Sequence, residues 1–485
     1  MSISASLSSA LSGLTAASRR AEVVSSNIAN AMTEGYGRRE LVVSARSVGS
    51  SGQGVQVVGV IRQADLAVIN DRRRAQAEAS DQGQRAGALL RIDSSLGAPD
   101  DASSLTARVA ALESALIAAT AQPASEARLS QIAETARGVV GKFGAITADI
   151  QASRTAADNQ IKSEVDQVNV ALSRIADLNA KVRATAGAGR DTSALIDQRQ
   201  QVIDSIAGII PLREIPRDGG QLALVTPGGA VLLDGSAARL GFTPVGTVVA
   251  GMTKGSGALS GLTINGHPIA TSGGNSPIAG GSLSGQFAIR DKLAPEAQTR
   301  LDAVARDLIE RFASPSVDPT LGAADAGLFT DNGGAFTPDN ETGLAGRLSL
   351  NAAADPLQGG ALWRLRDGLA ATNPGTVGNT AQLSRLADAL TVQRSPVSGG
   401  FMPGNRSFAT LTADLTSGVA TARLNAEAEH GFATARADAL HSAELQGGVD
   451  TDQEMQNLLM IEQAYSANAK VIQTVDDMIK TLLSI

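Results

Sequence analysis

Cysteine is absent from this 485-residue chain, which excludes disulfides, thiolate nucleophiles and thiolate metal sites together. Aromatic side chains make up only 2%, so ring-lined ligand pockets have little material. Histidine occurs three times, at His267, His430 and His441. The last two could share a helix face, but eleven residues of helix separate them by roughly 16 Å, too far for one ion. Positive charge is not in excess: 41 Lys and Arg against 48 Asp and Glu give a net charge of −7, so nucleic acid is not an expected partner. No run of about 18 apolar residues occurs, and Met1 to Ala17 carries no Lys or Arg. Neither membrane insertion nor a signal peptide is therefore expected.

Local motifs for chemistry fail on inspection. Lys142 follows Gly141, yet Ala136 and Phe143 stand where a phosphate-binding loop needs glycine and a hydroxyl. Asp450, Asp452 and Glu454 resemble the start of a calcium loop, but Met455 and Ile461 fall on its sixth and twelfth positions. Helix capping accounts better for these carboxylates. No catalytic, cofactor-binding or metal-ligating residue is nominated.

What the chain does contain is small aliphatic material: 43% hydrophobic residues and 51 glycines, with length for roughly three domains of about 150 residues each. Ile3, Leu7, Ala10, Leu14, Ala17, Ala21, Val24, Ile28 and Ala31 are spaced by alternating fours and threes, a heptad seam. Leu458, Ile461, Tyr465, Asn468, Ile472, Val475, Ile479 and Leu482 repeat the pattern at the other end, after a capping box of Thr451 and Glu454. Asn468 is the one strongly polar seam member and is expected to fix register.

These patterns predict a multidomain, mainly α chain. Residues 1–34 plus 450–485 form an antiparallel terminal coiled coil for assembly, and 35–70 a connector with a β-like hairpin. Residues 71–210, 286–315 and 405–449 form a helical-bundle domain built from both halves of the chain, and 211–285 an inserted small β domain. Residues 316–404 read as irregular. Asn30 and Gly35 mark the stop of the first helix, and Tyr36 anchors the connector.

The faces away from the seams are the informative ones. Between Met1 and Ala31 the only charged residues are Arg19, Arg20 and Glu22, and serines fill much of the remainder. A helix facing water carries more charge than this. Alanine-rich seams bury little area at roughly 25 cal/mol per Å², so an isolated pair is expected to be marginal and to gain order from neighbours. The candidate assembly interface therefore comprises Leu7, Leu11, Leu14, Val24, Ile28, Asn30, Gly35 and Tyr36 together with the second seam from Leu458 to Leu482.

Specific segments sharpen this. Ser9-Ala10-Leu11-Ser12-Gly13-Leu14, Ser26-Asn27-Ile28-Ala29-Asn30 and Thr33-Glu34-Gly35-Tyr36 resemble the N-terminal signature of flagellar rod, hook and hook-associated proteins. Gln463 to Thr474, reading QAYSANAKVIQT, resembles the closing motif of that family. Arg38-Arg39, Leu195-Ile196-Asp197-Gln198-Arg199 and the run from Gly285 to Asp291 are similar to its hook-associated branch rather than to hook protein. The resemblance implies a structural role without enzyme activity or cofactor, in a ring or helical layer of copies of itself. Hook protein and hook-associated protein 3 would bound that layer at the hook-filament junction, outside the cell. It further implies type III export without a cleaved signal peptide and a chaperone on the C-terminal helix, at the face from Leu458 to Leu482. A hook or distal-rod protein of the same family, a soluble cytoplasmic helical scaffold and a flagellum-attached wall hydrolase are the alternative readings.

Overall fold

The computed structural model describes residues 3–33, 35–48, 51–273 and 276–484. The first helix, α1 (Ile3–Ala29), is followed by an antiparallel hairpin of β1 (Arg38–Val48) and β2 (Ser51–Gln63), paired from Arg38 opposite Gln63 to Val48 opposite Ser51 with register shifts after Val42 and after Ala45. Four helices come next: α2 (Leu66–Leu96), α3 (Leu105–Ala121), α4 (Glu126–Gly187) and α5 (Ser193–Ala207). Their starts are set by side chains that take orphan amides. Asp65 accepts from the Ala67 and Val68 N–H groups, Ser104 from Ala107 and Ser125 from Arg128.

Short strands come after these helices. The segments β3 (Arg213–Pro216), β4 (Leu222–Val225), β5 (Val231–Asp234) and β6 (Ser236–Ala237) pair in that order, all antiparallel. A second sheet joins β7 (Leu240–Gly241), β8 (Thr263–Ile264) and β9 (His267–Pro268). The chain returns through α6 (Ser282–Ala288), a π-helical turn at Ile289–Leu293 and α7 (Ala294–Phe312). Then come β10 (Phe329–Asp331), α8 (Leu344–Arg347), β11 (Leu348–Leu350), α9 (Trp363–Asp367) and α10 (Ala381–Thr391). Two long helices close the chain, α11 (Phe408–Gln446) and α12 (Thr451–Leu483).

With 62 residues, α4 rises about 93 Å and is the spine of the molecule. Its apolar positions serve two separate cores. Leu129, Ile132, Val139, Phe143 and Ile146 pack with α3, α7 and the start of α11, whereas Ile161, Val165, Val168, Leu172 and Ile175 pack with α5, the β segment and Phe287 of α6. Residues 316–404, expected to be irregular or loop-rich, carry only short helices and strands between turns. They place Leu328, Phe329, Leu344, Leu350, Leu365, Leu386 and Leu390 in the first core.

Outward and return paths run side by side. Ion pairs link Asp93 with Arg423 at 2.9 Å, Glu78 with Arg436 at 3.2 Å, and Arg72 with Glu444, so α2 and α11 are antiparallel. The ends then pair in the same sense. Gly13 of α1 lies against Asn468 of α12, while Arg38, just past α1, meets Glu454 in the first turn of α12 at 2.7 Å. The cap of α12 is Asp450, which accepts from the Asp452 and Gln453 N–H groups, rather than the expected Thr451. Glu454 is consequently free of capping and turns to Arg38.

Where the two cores meet, polar groups are buried between α2, α4 and α6. Glu164 of α4 is buried, accepts from Gln160, and leaves its Oε2 without a partner. Burial pushes its carboxyl above the usual range, against the opposing hydrogen bond from Gln160. A raised folded-state value means the native chain holds this proton more tightly than the unfolded chain. The associated stability is full below the ordinary carboxylate range and is lost as pH rises through the raised value. Glu164→Gln is therefore expected to raise the thermal midpoint at neutral pH and to flatten its decline between mildly acidic and neutral pH. Calorimetry across that range checks it, and an unchanged slope would refute the assignment.

Candidate assembly surface

The base of the terminal pair is built from short-range polar contacts. Asn27, fully buried, donates from Nδ2 to the Arg39 carbonyl at 2.9 Å and accepts from the Arg39 N–H at 2.9 Å. The Tyr36 hydroxyl donates to Asn27 Oδ1 at 2.9 Å, and the Arg39 guanidinium lies 4.8 Å from the Tyr36 ring centre. Asn30 Nδ2 donates to the Ser26 carbonyl at 2.9 Å, and Gly35 has φ +78°, the left-handed backbone that ends the helix without strain. Glu34 of this segment lies outside the described residues.

This base is tied to the helical body by charge. Asp197 of α5 accepts from Arg39 Nη2 at 2.9 Å, Arg62 Nε at 2.8 Å and the Gly37 N–H at 3.2 Å. Glu454, 1% exposed, holds Arg38 from the α12 side. The hairpin lies along α1, and the Val55 N–H donates to Ser12 Oγ at 3.1 Å. Gly54 is needed there: a Cβ would fall 2.0 Å from Ser12 Oγ and 2.9 Å from the Ser9 Cα.

The nominated side chains divide by exposure. Val24 and Val475 are buried in the seam, and Leu14, Ile28, Leu458, Ile461, Asn468 and Ile472 are half-buried. Tyr465, Leu7, Leu11, Ile479 and Leu482 remain exposed. Asn468 Nδ2 is turned back onto the Ala464 carbonyl at 2.8 Å, and its amide fills the space that the missing Gly13 side chain leaves, 2.7 Å from where a Cβ would sit. Beyond the nominated residues, Met455, Leu459, Met460, Val471, Met478 and Leu483 of α12 are each at least 43% exposed. In this 33-residue helix only Glu454 and Val475 are buried. One helix thus presents apolar side chains on faces that α1 does not reach, an arrangement characteristic of a protein interface.

Sequence reasoning missed the polar side of this surface. Arg62 carries no local signal, and Asn27 and Glu454 stand out only as members of the Ser26–Asn30 segment and of the capping box, because each finds its partner through the fold. Asp197 stands out in sequence only as part of Leu195–Arg199, and Arg39 only as part of Arg38-Arg39. The structure brings the two together.

The architecture is a pair of terminal helices joined to a helical body, and comparison with known proteins gives it a context. Residues 7–36 match the family model described as flagella basal body rod protein, and residues 446–485 match flagellar basal body rod FlgEFG protein C-terminal. Residues 89–314 match flagellar hook-associated protein FlgK helical domain. Flagellar hook-associated protein 1 of Escherichia coli is 25% identical over the full length of both chains, and that of Bacillus subtilis 22% identical over 99% of this chain and 97% of its own. The protein of the same name from Salmonella typhimurium is 31% identical over 49% of this chain and 44% of its own. The flagellar hook junction protein FlgK from Burkholderia pseudomallei superposes with a TM-score of 0.42 at 17% identity, covering 54% of this chain and 46% of that one. This chain is a structural component of the bacterial flagellum and not an enzyme. Over nearly its whole length it is similar to proteins named flagellar hook-associated protein 1.

Proposed function

We propose that the α1–α12 pair is the surface through which copies of this chain assemble into a ring or helical layer joining hook to filament, with hook protein on one side and hook-associated protein 3 on the other. The apolar side chains that α12 leaves uncovered carry the reading, since water-facing helices rarely expose so many. Residues 1–34 and 450–485 act as the assembly unit, while the helical body and the β segment spread outward from it. Heterologous contacts of this kind generate rings or helical layers. Before assembly the same α12 face suits a cytoplasmic export chaperone that receives an amphipathic helix in a groove. Delivery then takes the flagellar type III route without a cleaved signal peptide, to the extracellular hook-filament junction. No helix among the described residues is long and apolar enough to cross a membrane.

Deleting residues 450–485 is expected to abolish filament attachment in cells lacking the chromosomal copy, leaving hooks without filaments by electron microscopy. Normally attached filaments would end the proposal. In the purified subunit, amides from Leu7 to Ile28 should exchange far faster than those of α4, because the pair draws its order from neighbours.

A further inference from the structure

The packing of α11 on α2 leaves a cleft open along its flank. The two helices meet closely at Gly83, where a Cβ would fall 3.1 Å from His430 Cε1, and again at the ion pair of Glu78 with Arg436. Beside that line Glu78 and Gln82 of α2 and Glu429, Phe432, Ala433 and Arg436 of α11 enclose about 420 Å³. Ala433 is buried and small, which leaves the space. Phe432 stands at its rim and is 79% exposed, whereas the other eight phenylalanines are all buried or half-buried. Next to it Leu424, Ala428, Gly431 and Ala435 follow one another by four, three and four and are all exposed. They form one stripe on the helix, small enough over most of its length for another helix to lie close.

A single exposed apolar side chain is ordinary on a protein surface. The polar lining sets this one apart. Arg436 is engaged by Glu78 at 3.2 Å, while Glu429 is exposed and has no ion-pair or hydrogen-bond partner among the described residues. Gln82 Oε1 is closed within the lining without a donor, and a donor entering the cleft reaches it once the amide turns outward. The cleft therefore offers an uncompensated carboxylate, a carbonyl lacking a donor and the face of an aromatic ring. A guanidinium satisfies all three. It is planar, carries five N–H donors and no acceptor, binds a carboxylate through two parallel bonds and stacks on aromatic faces. An ammonium has the charge without the plane.

We propose that this cleft receives an arginine side chain from a helix of a partner protein. The guanidinium sits on the Glu429 carboxylate and over the Phe432 ring, and the partner helix lies along the stripe from Leu424 to Ala435. Arginine and aromatic side chains carry much of the energy at protein contacts, and here one half of such a pair is already in place. The site is lined by α2 and α11 alone. It is independent of the α1–α12 reading above, and each can fail without the other.

The test titrates an alanine-based helical peptide, with one arginine and a leucine four residues to either side, onto the full-length chain carrying isotope-labelled phenylalanine. NMR follows the rings, and Phe432→Leu assigns the signal. A saturable shift of the Phe432 ring is expected. Citrulline in place of arginine keeps the shape and removes the charge, and should weaken binding by about tenfold. Lysine should weaken it by about threefold. Glu429→Gln is expected to cost about fivefold and Phe432→Ala about tenfold, with helix content by circular dichroism unchanged because both positions are exposed. Equal binding of the citrulline peptide would make this a plain apolar face and overturn the proposal. So would a Phe432 ring that stays unmoved up to about 1 mM peptide.

Discussion

Alanine in place of Arg290 should lower the stability of the chain by about 3–5 kcal/mol, since removing one member of a buried pair leaves the other charge uncompensated. Arg290 is fully buried in the π-helical turn between α6 and α7. Its Nη1 donates to Asp158 Oδ1 at 2.8 Å, its Nε to Asp291 Oδ1 at 2.8 Å, and its Nη2 to the Ser260 carbonyl at 2.9 Å. Phe242 and Phe287 flank the guanidinium at 5.5 and 5.0 Å. Asp158 also accepts from the Val245 N–H, and Arg154 donates to the carbonyls of Arg290, Val249 and Met252. One cation therefore joins α4, the return path and the long loop of the β segment. The loss should be largest for amides of residues 240–290, read by hydrogen exchange, while those packed around Leu112 and Leu308 keep their protection. A uniform loss, or none, would show that the network is not what holds the β segment in place.

Asp197→Ala is the second large effect, with a different readout. The substitution strips Arg39, Arg62 and the Gly37 N–H of their shared acceptor, at a site where the carboxylate and Arg62 side chains are each 11% exposed. A local cost of about 3–5 kcal/mol results from leaving charges buried without a partner. Because the polar partners of the Asp197 carboxylate among the described residues all belong to the connector, protection should fall from Tyr36 to Gln63 and be unchanged in α4. Filament attachment should fall about tenfold or more, since the assembly surface is no longer held at a fixed angle to the body. Asp197→Glu should recover part of it. Intact attachment with a loosened connector would show that a fixed angle is not required.

How much of this is legible in the sequence depends on the distance between partners. The terminal seams and the second half of α4 repeat apolar residues with the helical period, so neighbours in sequence carry the signal. The region from 316 to 404 does not. Its helices α8, α9 and α10 are short and separated by glycine and proline turns, and the surfaces that complete them lie on α3, α4 and α7. The polar couplings are harder still to read. Arg39 and Asp197 are 158 positions apart, and Arg38 and Glu454 are 416 apart. Nothing local marks such pairs. The choice between Asp450 and Thr451 as cap turns on which carboxylate is already engaged elsewhere.

A helix as long as α4 resists bending, and both cores are clamped onto it. The body must then move as a stiff lever. One cluster of arginines and carboxylates, Arg38, Arg39, Arg62, Asp197 and Glu454, connects lever to mount. Torque reaching the mount would pass through those ion pairs before it could reach either core.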